Sequence, residues 1–239
     1  MIDLHSHVLP GLDDGSPDLE SSLAICRMAA ADGITDMVAT PHYRNGIGVH
    51  DVSVIAPAAE RLRAALLENG ISLALHFAVE MPLLENYIEL YRDGTWLAYD
   101  SARKYILLEC PPLPVNGAQI LSRVVDALLK SGTIPVLAHP ERLPFLDRIE
   151  DVVRIRRQGA LFQITAGALE MHSSSGHRAR EWLDRGIVSC VATDTHGVDR
   201  RPPILSCARD FIRFRCGAAA AEAITCSNPR KILVGEPLD

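Results

Sequence analysis

Residues 1–15 read MIDLHSHVLPGLDDG, and they set His5, His7, Asp13 and Asp14 directly behind a short apolar start. The run 2–4 has the character of a buried strand, so the histidines fall at its carboxyl end and the aspartates in the loop beyond it. Similar apolar runs recur at 34–39, 73–79, 104–108, 134–138, 161–164 and 187–192, separated by segments of helical period. Seven strands alternating with helices predict an α/β fold on a parallel sheet. The length of 239 residues suits one domain spanning 1–239.

Helix ends are also readable. Ser16 before Pro17 predicts an N-cap followed by proline at the first helical position, and Gly33 closes that helix. Gly70, Gly132, Gly159 and Gly186 recur in the closing role, and Pro57 predicts that the helix within 51–69 begins near it. Residues 81–103 form a longer segment with Tyr87, Tyr91, Trp96 and Tyr99, expected either over one end of the sheet or packed on its outside. Asn228 and Pro229 open a last short helix.

Composition excludes several classes. A net charge of -6 with no dense Lys/Arg run argues against nucleic acid or an anionic membrane surface as the main partner. There is no charged leader with an apolar stretch ahead of His5 and no run of eighteen apolar residues, so a cytoplasmic protein without a membrane span is expected. Six cysteines form no C-x-x-C pair, which suits reduced core thiols.

Parallel α/β sheets gather their ligand sites at the carboxyl ends of the strands. Six of the seven ends carry His, Asp or Glu: His5 and His7, His42, Glu80, Glu109, His139, and Asp194 with His196. Each residue alone favours a bland reading, as a hydrogen-bonded histidine or a helix-start carboxylate. Their joint placement tips the balance, because the amino ends of the strands carry almost none. Residues two apart share a side, so His5 with His7 and Asp194 with His196 each aim a pair of ligands one way. Imidazole and carboxylate without thiolate suit manganese, iron or zinc in open coordination. Arg142 and Arg201 follow closely behind His139 and the pair Asp194 and His196, where guanidinium groups suit phosphate. His50, His76, His172 and His177 take no part, and His76 is expected to lack a polar neighbour.

The set His5-x-His7, His42, Glu80, Glu109, His139 and Asp194-x-His196 resembles the PHP (polymerase and histidinol phosphatase) superfamily. The strings HSHVLPGLDDGS, ATPHY, LLEC, AHPER, and TDTH followed by RPP are similar to its bacterial branch of manganese-dependent protein-tyrosine phosphatases, the CpsB/CapC-like type of capsule and exopolysaccharide synthesis. That resemblance implies a distorted seven-stranded, TIM-barrel-like (β/α) barrel with three divalent metals. It further implies that His5, His7, Glu80 and Asp194 hold one ion, Glu80 bridges to a second held by Glu109 and His139, and Asp14, His42 and His196 hold the third. Asp13 adjoins Asp14 and competes for that role. TDTHG departs from the family's more usual Ser-Asp-Ala-His-Asn run, which leaves the ligands intact but changes the loop beside them.

The chemistry expected is in-line attack on phosphorus by a metal-bridging hydroxide, with Arg142 and Arg201 holding the phosphoryl oxygens. A phosphotyrosine protein, namely a bacterial tyrosine kinase, is the expected partner, and a homo-oligomer is compatible with the resemblance. No general acid is identified. The thiol route needs Cys and Arg around a glycine-rich phosphate loop; Cys207 and Arg213 have the spacing but lie in an amphipathic helical pattern without glycine. Rival readings are a small-molecule PHP phosphoesterase acting on a compound such as histidinol phosphate, an amidohydrolase-like barrel, and a non-catalytic metal-binding scaffold.

Overall fold

The short apolar runs do become strands, and in most of them both faces are covered: alternate residues pack inward and the intervening ones meet helices, Ala74–Phe77 being the partly exposed exception. In the computed structural model, described for residues 1–44, 46–83, 96–113 and 116–238, eight strands form two all-parallel sheets. β1 (Ile2–Ser6), β2 (Asp36–Ala39) and β3 (Ala74–Phe77) make one sheet in that order. β4 (Glu80–Pro82), β5 (Tyr105–Glu109), β6 (Ile134–Ala138), β7 (Leu161–Thr165) and β8 (Cys190–Ala192) make the other. An inner cluster takes Ile2 and Leu4 from β1, Val38 from β2, Leu107 from β5, Val136 from β6, Leu161 from β7 and Cys190 from β8. Their neighbours Met37, Ile106, Leu137, Phe162 and Val191 join a larger cluster with the helices.

The seven-stranded barrel expected from the sequence is therefore corrected to eight strands in two sheets. The apolar run 73–79 is not one strand, because the ladder with β2 ends at Phe77 with a last bond from Ala78 N–H to Ala39 O, and Glu80 begins a strand paired with β5. Val79 N–H is taken by Leu97 O rather than by a ladder. Two seams join the sheet edges. At one, Ser6 bridges Thr195, and Asp194 N–H donates to His5 O at 2.9 Å. At the other, His42 bridges Glu80, and Tyr43 N–H donates to Glu80 O at 3.1 Å.

Several local expectations shift for reasons of burial. Ser16 does not cap the first helix (Leu19–Ala31); Asp18 does, accepting from Ser21 N at 2.8 Å. Ser16 is buried, and its backbone N–H goes to His7 O at 2.9 Å instead. Pro57 lies in the first turn of Ile55–Glu68, as the sequence predicts. Cys26, Cys110 and Cys190 are buried, but Cys207 and Cys216 are exposed, so not all six thiols belong to the core. His76 does have a polar neighbour, Asp36 Oδ1 at 3.2 Å. Trp96 and Tyr99 are buried, with Tyr99 Oη donating to Leu4 O, whereas Tyr87 and Tyr91 lie outside the described residues. Among the described residues no helix is long and apolar enough to cross a membrane.

One contact ties the last part of the chain to the first. Asp32, at the end of Leu19–Ala31, accepts from Leu205 N at 2.7 Å and Ser206 N at 2.9 Å, satisfying the open N-terminus of the helix Ser206–Cys216. Asp32→Ala removes these bonds and is expected to lower stability by about 1–2 kcal/mol, the range for a lost helix cap. Urea denaturation of the metal-free protein checks it. A midpoint equal to wild type would mean that water serves those amides equally well.

Candidate metal centre

At the carboxyl ends of the strands the chain turns back on itself, and the residues that close these turns are glycines. A Cβ on Gly15 would lie 2.1 Å from His7 O, and one on Gly48 would lie 2.0 Å from His42 O. The loops after β1 and β2 thus press bare backbone against a histidine, which no other residue type allows at that distance. β1 adds a second device. Asp3 and Ser6 are three apart while their partners Met37 and Ala39 in β2 are two apart, so β1 carries one extra residue. Such a bulge re-aims side chains. His5, next to the inward-packed Leu4, is thereby free to bring Nε2 within 3.2 Å of His7 Nε2.

All nine sequence-proposed ligands meet here. Their ligand atoms fall into four overlapping groups: His7, Asp14, His42 and His196; His5, His7 and Glu80; His5, His139 and Asp194; and His42, Glu80 and Glu109. The grouping by distance differs from the partition implied by resemblance, since His7 also joins Asp14, His139 also joins Asp194, and His42 also joins Glu109. Of the two adjacent aspartates, Asp14 faces the cluster, with Oδ1 3.3 Å from His196 Nε2 and 3.5 Å from His42 Nε2. Asp13 stands behind it, with Oδ2 2.7 Å from His7 Nδ1 and accepting from His42 N at 3.1 Å. His50, His76, His172 and His177 join none of the groups.

Three imidazoles are held by their outer nitrogens. His5 Nδ1 donates to Gln163 Oε1 at 2.9 Å, His7 Nδ1 to Asp13, and His196 Nδ1 to Asp194 O at 2.9 Å. These partners leave Nε2 of each ring as the inward-facing atom. Nε2 of His5 and His7 then lies 3.3–3.5 Å from oxygens of the buried Glu80 and Asp194. Glu80 Oε1 and Oε2, Asp194 Oδ1 and His42 Nδ1 are buried without a hydrogen-bond partner. His42 Nδ1 comes within 2.8 Å of Glu80 Oε2, but this close pair lacks hydrogen-bond alignment. Buried acceptors of this kind are rarely orphaned. Inward nitrogens and oxygens, close together without hydrogen-bond alignment, fit divalent cations that displace the proton of His7. Gln163 and Asp13 were missed as supports by reading the sequence, although a glutamine inside the apolar run LFQI was a usable signal.

Electrostatics follow from burial opposed by opposite charge. Burial acts to lower the His7 pKa, but the bond to Asp13 and the nearby carboxylates of Asp194 and Glu80 outweigh it and raise the group to about 10. Burial likewise opposes ionisation of Glu80 and Asp194, and the surrounding histidines hold both well below the usual carboxylate range. His196 goes the other way, lowered to about 4 by burial and then by His7. Glu109 is raised by burial and by the charge of Glu80. Backbone strain collects here as well: His139 (φ 33), Asp194 (φ 52) and Arg201 (φ 53) are left-handed non-glycine residues. Both arginines converge on Asp194 Oδ2, Arg142 at 2.8 Å while also donating to Thr165 Oγ1, and Arg201 from the other side.

Comparison with known proteins agrees with this geometry. Residues 1–234 match the family described as "Capsular polysaccharide synthesis, CpsB/CapC". The chain is 32% identical to the tyrosine-protein phosphatase YwqE of Bacillus subtilis, over 84% of this chain and 79% of that protein. It is 30% identical to the tyrosine-protein phosphatase CpsB of Streptococcus pneumoniae, over 99% of both chains. A crystal structure from work on YwqE and CpsB, described there as metal-dependent tyrosine phosphatases, superposes with a TM-score of 0.89 at 27% identity, covering 100% of this chain and 96% of that one. The phosphotriesterase of Mycobacterium tuberculosis shares the fold alone, with a TM-score of 0.56 at 12% identity, over 97% and 93% of the two chains.

Two outcomes are expected. Because His7 at about 10 is protonated at pH 7.5 and must lose that proton to coordinate, manganese binding releases protons, whereas His196, already neutral, releases none. Calorimetry in buffers of different ionisation enthalpy reads the release, and a buffer-independent heat would refute it. Asp13→Ala should weaken manganese binding by about 10–100-fold while the fold persists, the usual effect of losing a ligand's orienting partner. Unchanged affinity would show that Asp13 does not orient His7.

Proposed function

The chain belongs to the CpsB/CapC family of capsular polysaccharide synthesis, and from that premise we propose that it is a metal-dependent protein-tyrosine phosphatase. The observation that carries the reading is the set of three imidazoles pinned through Nδ1, with Nε2 of His5 and His7 turned to the buried Glu80 and Asp194 and Nε2 of His196 turned to the exposed Asp14. In this reading residues 1–239 act as one catalytic domain, a closed (β/α) barrel in function if not in continuous pairing. The ions are three, manganese foremost: His5, His7, Glu80 and Asp194 hold one, Glu80 with Glu109 and His139 a second, and Asp14, His42 and His196 the third. When bound, they supply Lewis acidity and water acidic enough to attack phosphorus in line.

The protein's own contribution is position and charge. Asp13, Gln163 and the Asp194 carbonyl fix which nitrogen of each histidine points inward. Arg142 and Arg201 stand half-exposed at the rim, and each offers a fork of N–H donors that can hold phosphoryl oxygens and offset the charge that builds on them. A bacterial tyrosine kinase of capsule or exopolysaccharide synthesis is the proposed phosphorylated partner, met in the cytoplasm, where free thiols such as the six here persist.

A cysteine nucleophile has no support. Cys207 is exposed on the helix Ser206–Cys216, where the backbone between it and Arg213 is helical and forms no phosphate loop. Burial pushes the Cys26 and Cys110 thiols up to about 12, away from the thiolate. With manganese, a phosphotyrosine peptide should be hydrolysed with a clearly higher kcat/KM than histidinol phosphate, and Cys207→Ser should match wild type on the peptide. Preference for histidinol phosphate would sink the tyrosine reading, and a folded but inactive Cys207→Ser would sink the metal mechanism.

A further inference from the structure

Immediately outside the two arginines lies a cavity of about 380 Å³, lined by Arg142 and Arg201 on one side and by Gly167, Ala168 and Met171 on another. That volume is at the small end of ligand sites, roughly 300–1,000 Å³, and suits one aromatic ring better than a large cofactor. The wall is carried by the turn Ala166–Glu170, which continues β7, the strand whose Gln163 orients His5 and whose Thr165 accepts from Arg142. One continuous segment therefore carries part of the cavity wall and also contacts Arg142 and His5. A phosphoryl group held between the arginines and the ligand cluster would leave its ester substituent at this cavity.

Two details show that the space is built for a ligand. Gly167 has no left-handed backbone requirement, and a Cβ there would meet nothing within 4 Å, so its glycine is explained neither by strain nor by packing. Glu141, wholly buried in the same wall, spends Oε1 on Thr165 N at 3.0 Å but leaves Oε2 without a partner. An unmet buried acceptor points to a ligand that brings a donor, as the backbone amide of a phosphotyrosyl residue does. We propose that this cavity seats the phenyl ring of the phosphotyrosyl substrate, with Gly167 keeping it open and Met171 closing over the ring. The inference rests on the phosphatase reading and adds to it the position that selects aromatic over aliphatic phosphate esters. Arginine and thioether groups are favourable neighbours for an aromatic face and edge, and a seryl or threonyl phosphate would leave the space unfilled.

A second cavity, about 460 Å³, borders His196, but Glu20 and Asp199 share its wall with Arg200, and those carboxylates are poor company for a phosphate ester. The test is binding to the manganese-loaded protein, read by calorimetry with phenylphosphonate and with inorganic phosphate. Gly167→Leu should weaken phenylphosphonate about tenfold and leave inorganic phosphate within about twofold. Met171→Ala, which only removes bulk, should weaken phenylphosphonate about threefold with phosphate again unmoved. Unchanged phenylphosphonate binding in both variants, or parallel losses for both ligands, would overturn the seat. Ala24 lines that second cavity, so selective loss in Ala24→Leu instead would place the ring beside His196 and also overturn the seat. Wild-type protein that binds neither ligand would remove the phosphatase reading itself, whereas a wild type that hydrolyses phosphotyrosine with an indifferent Gly167→Leu would remove only the ring seat.

Discussion

Burial of Glu80 and Asp194 among five imidazoles is the constraint on which the rest of the structure depends. A carboxylate removed from water is costly unless opposite charge and hydrogen bonds surround it. Here each lies against His5 and His7, and Asp194 also against Arg142 and Arg201. Burial would depress His5 and His7, but the negative charge of the carboxylates beside them raises both groups instead. The same arrangement that would be a liability in an ordinary core is a prepared site for cations.

Fold and site are coupled through shared residues. The two seams that join the sheets run through His5, Asp194 and Thr195 on one side and through His42, Tyr43 and Glu80 on the other. Neither seam is a continuous ladder, so side chains gathered at the strand ends contribute to closing what the backbone pairs only locally. Cations held by those side chains would act across both seams at once, and binding free energy would appear as folding stability. The left-handed backbone at His139 and Asp194 fits this view, since strain persists only where its surroundings over-determine it.

Much of the site was legible because its chemistry repeats at one kind of place. His42, Glu109 and His139 could each be dismissed singly, yet their recurrence at strand ends is what a shared mouth requires. The choice between Asp13 and Asp14 was not legible, because adjacent residues in a loop have no fixed facing; Gly15 folding onto His7 decides it. The cap at Asp18 rather than Ser16 escaped for a similar reason, Ser16 being drawn into the same loop and buried. Strand count failed at one point only: the mostly apolar run 73–79 gives no sign that its hydrogen bonds change sheets before Glu80.

By itself the sequence determined the alternation of strands and helices and the residue types at the strand ends, since these follow from periodicity and spacing along the chain; its motif strings carried the resemblance to the family. Only the tertiary structure decided which aspartate faces the cluster, how an extra residue in β1 lets His5 reach its partners, and that Asp194 gathers both arginines. Those outcomes depend on loop closures such as Gly15 against His7 and on contacts between distant segments, such as His5 with Gln163 and Thr193 with Asp3. Local pattern carries no information about which distant donor will arrive to meet a buried acceptor; packing supplies it.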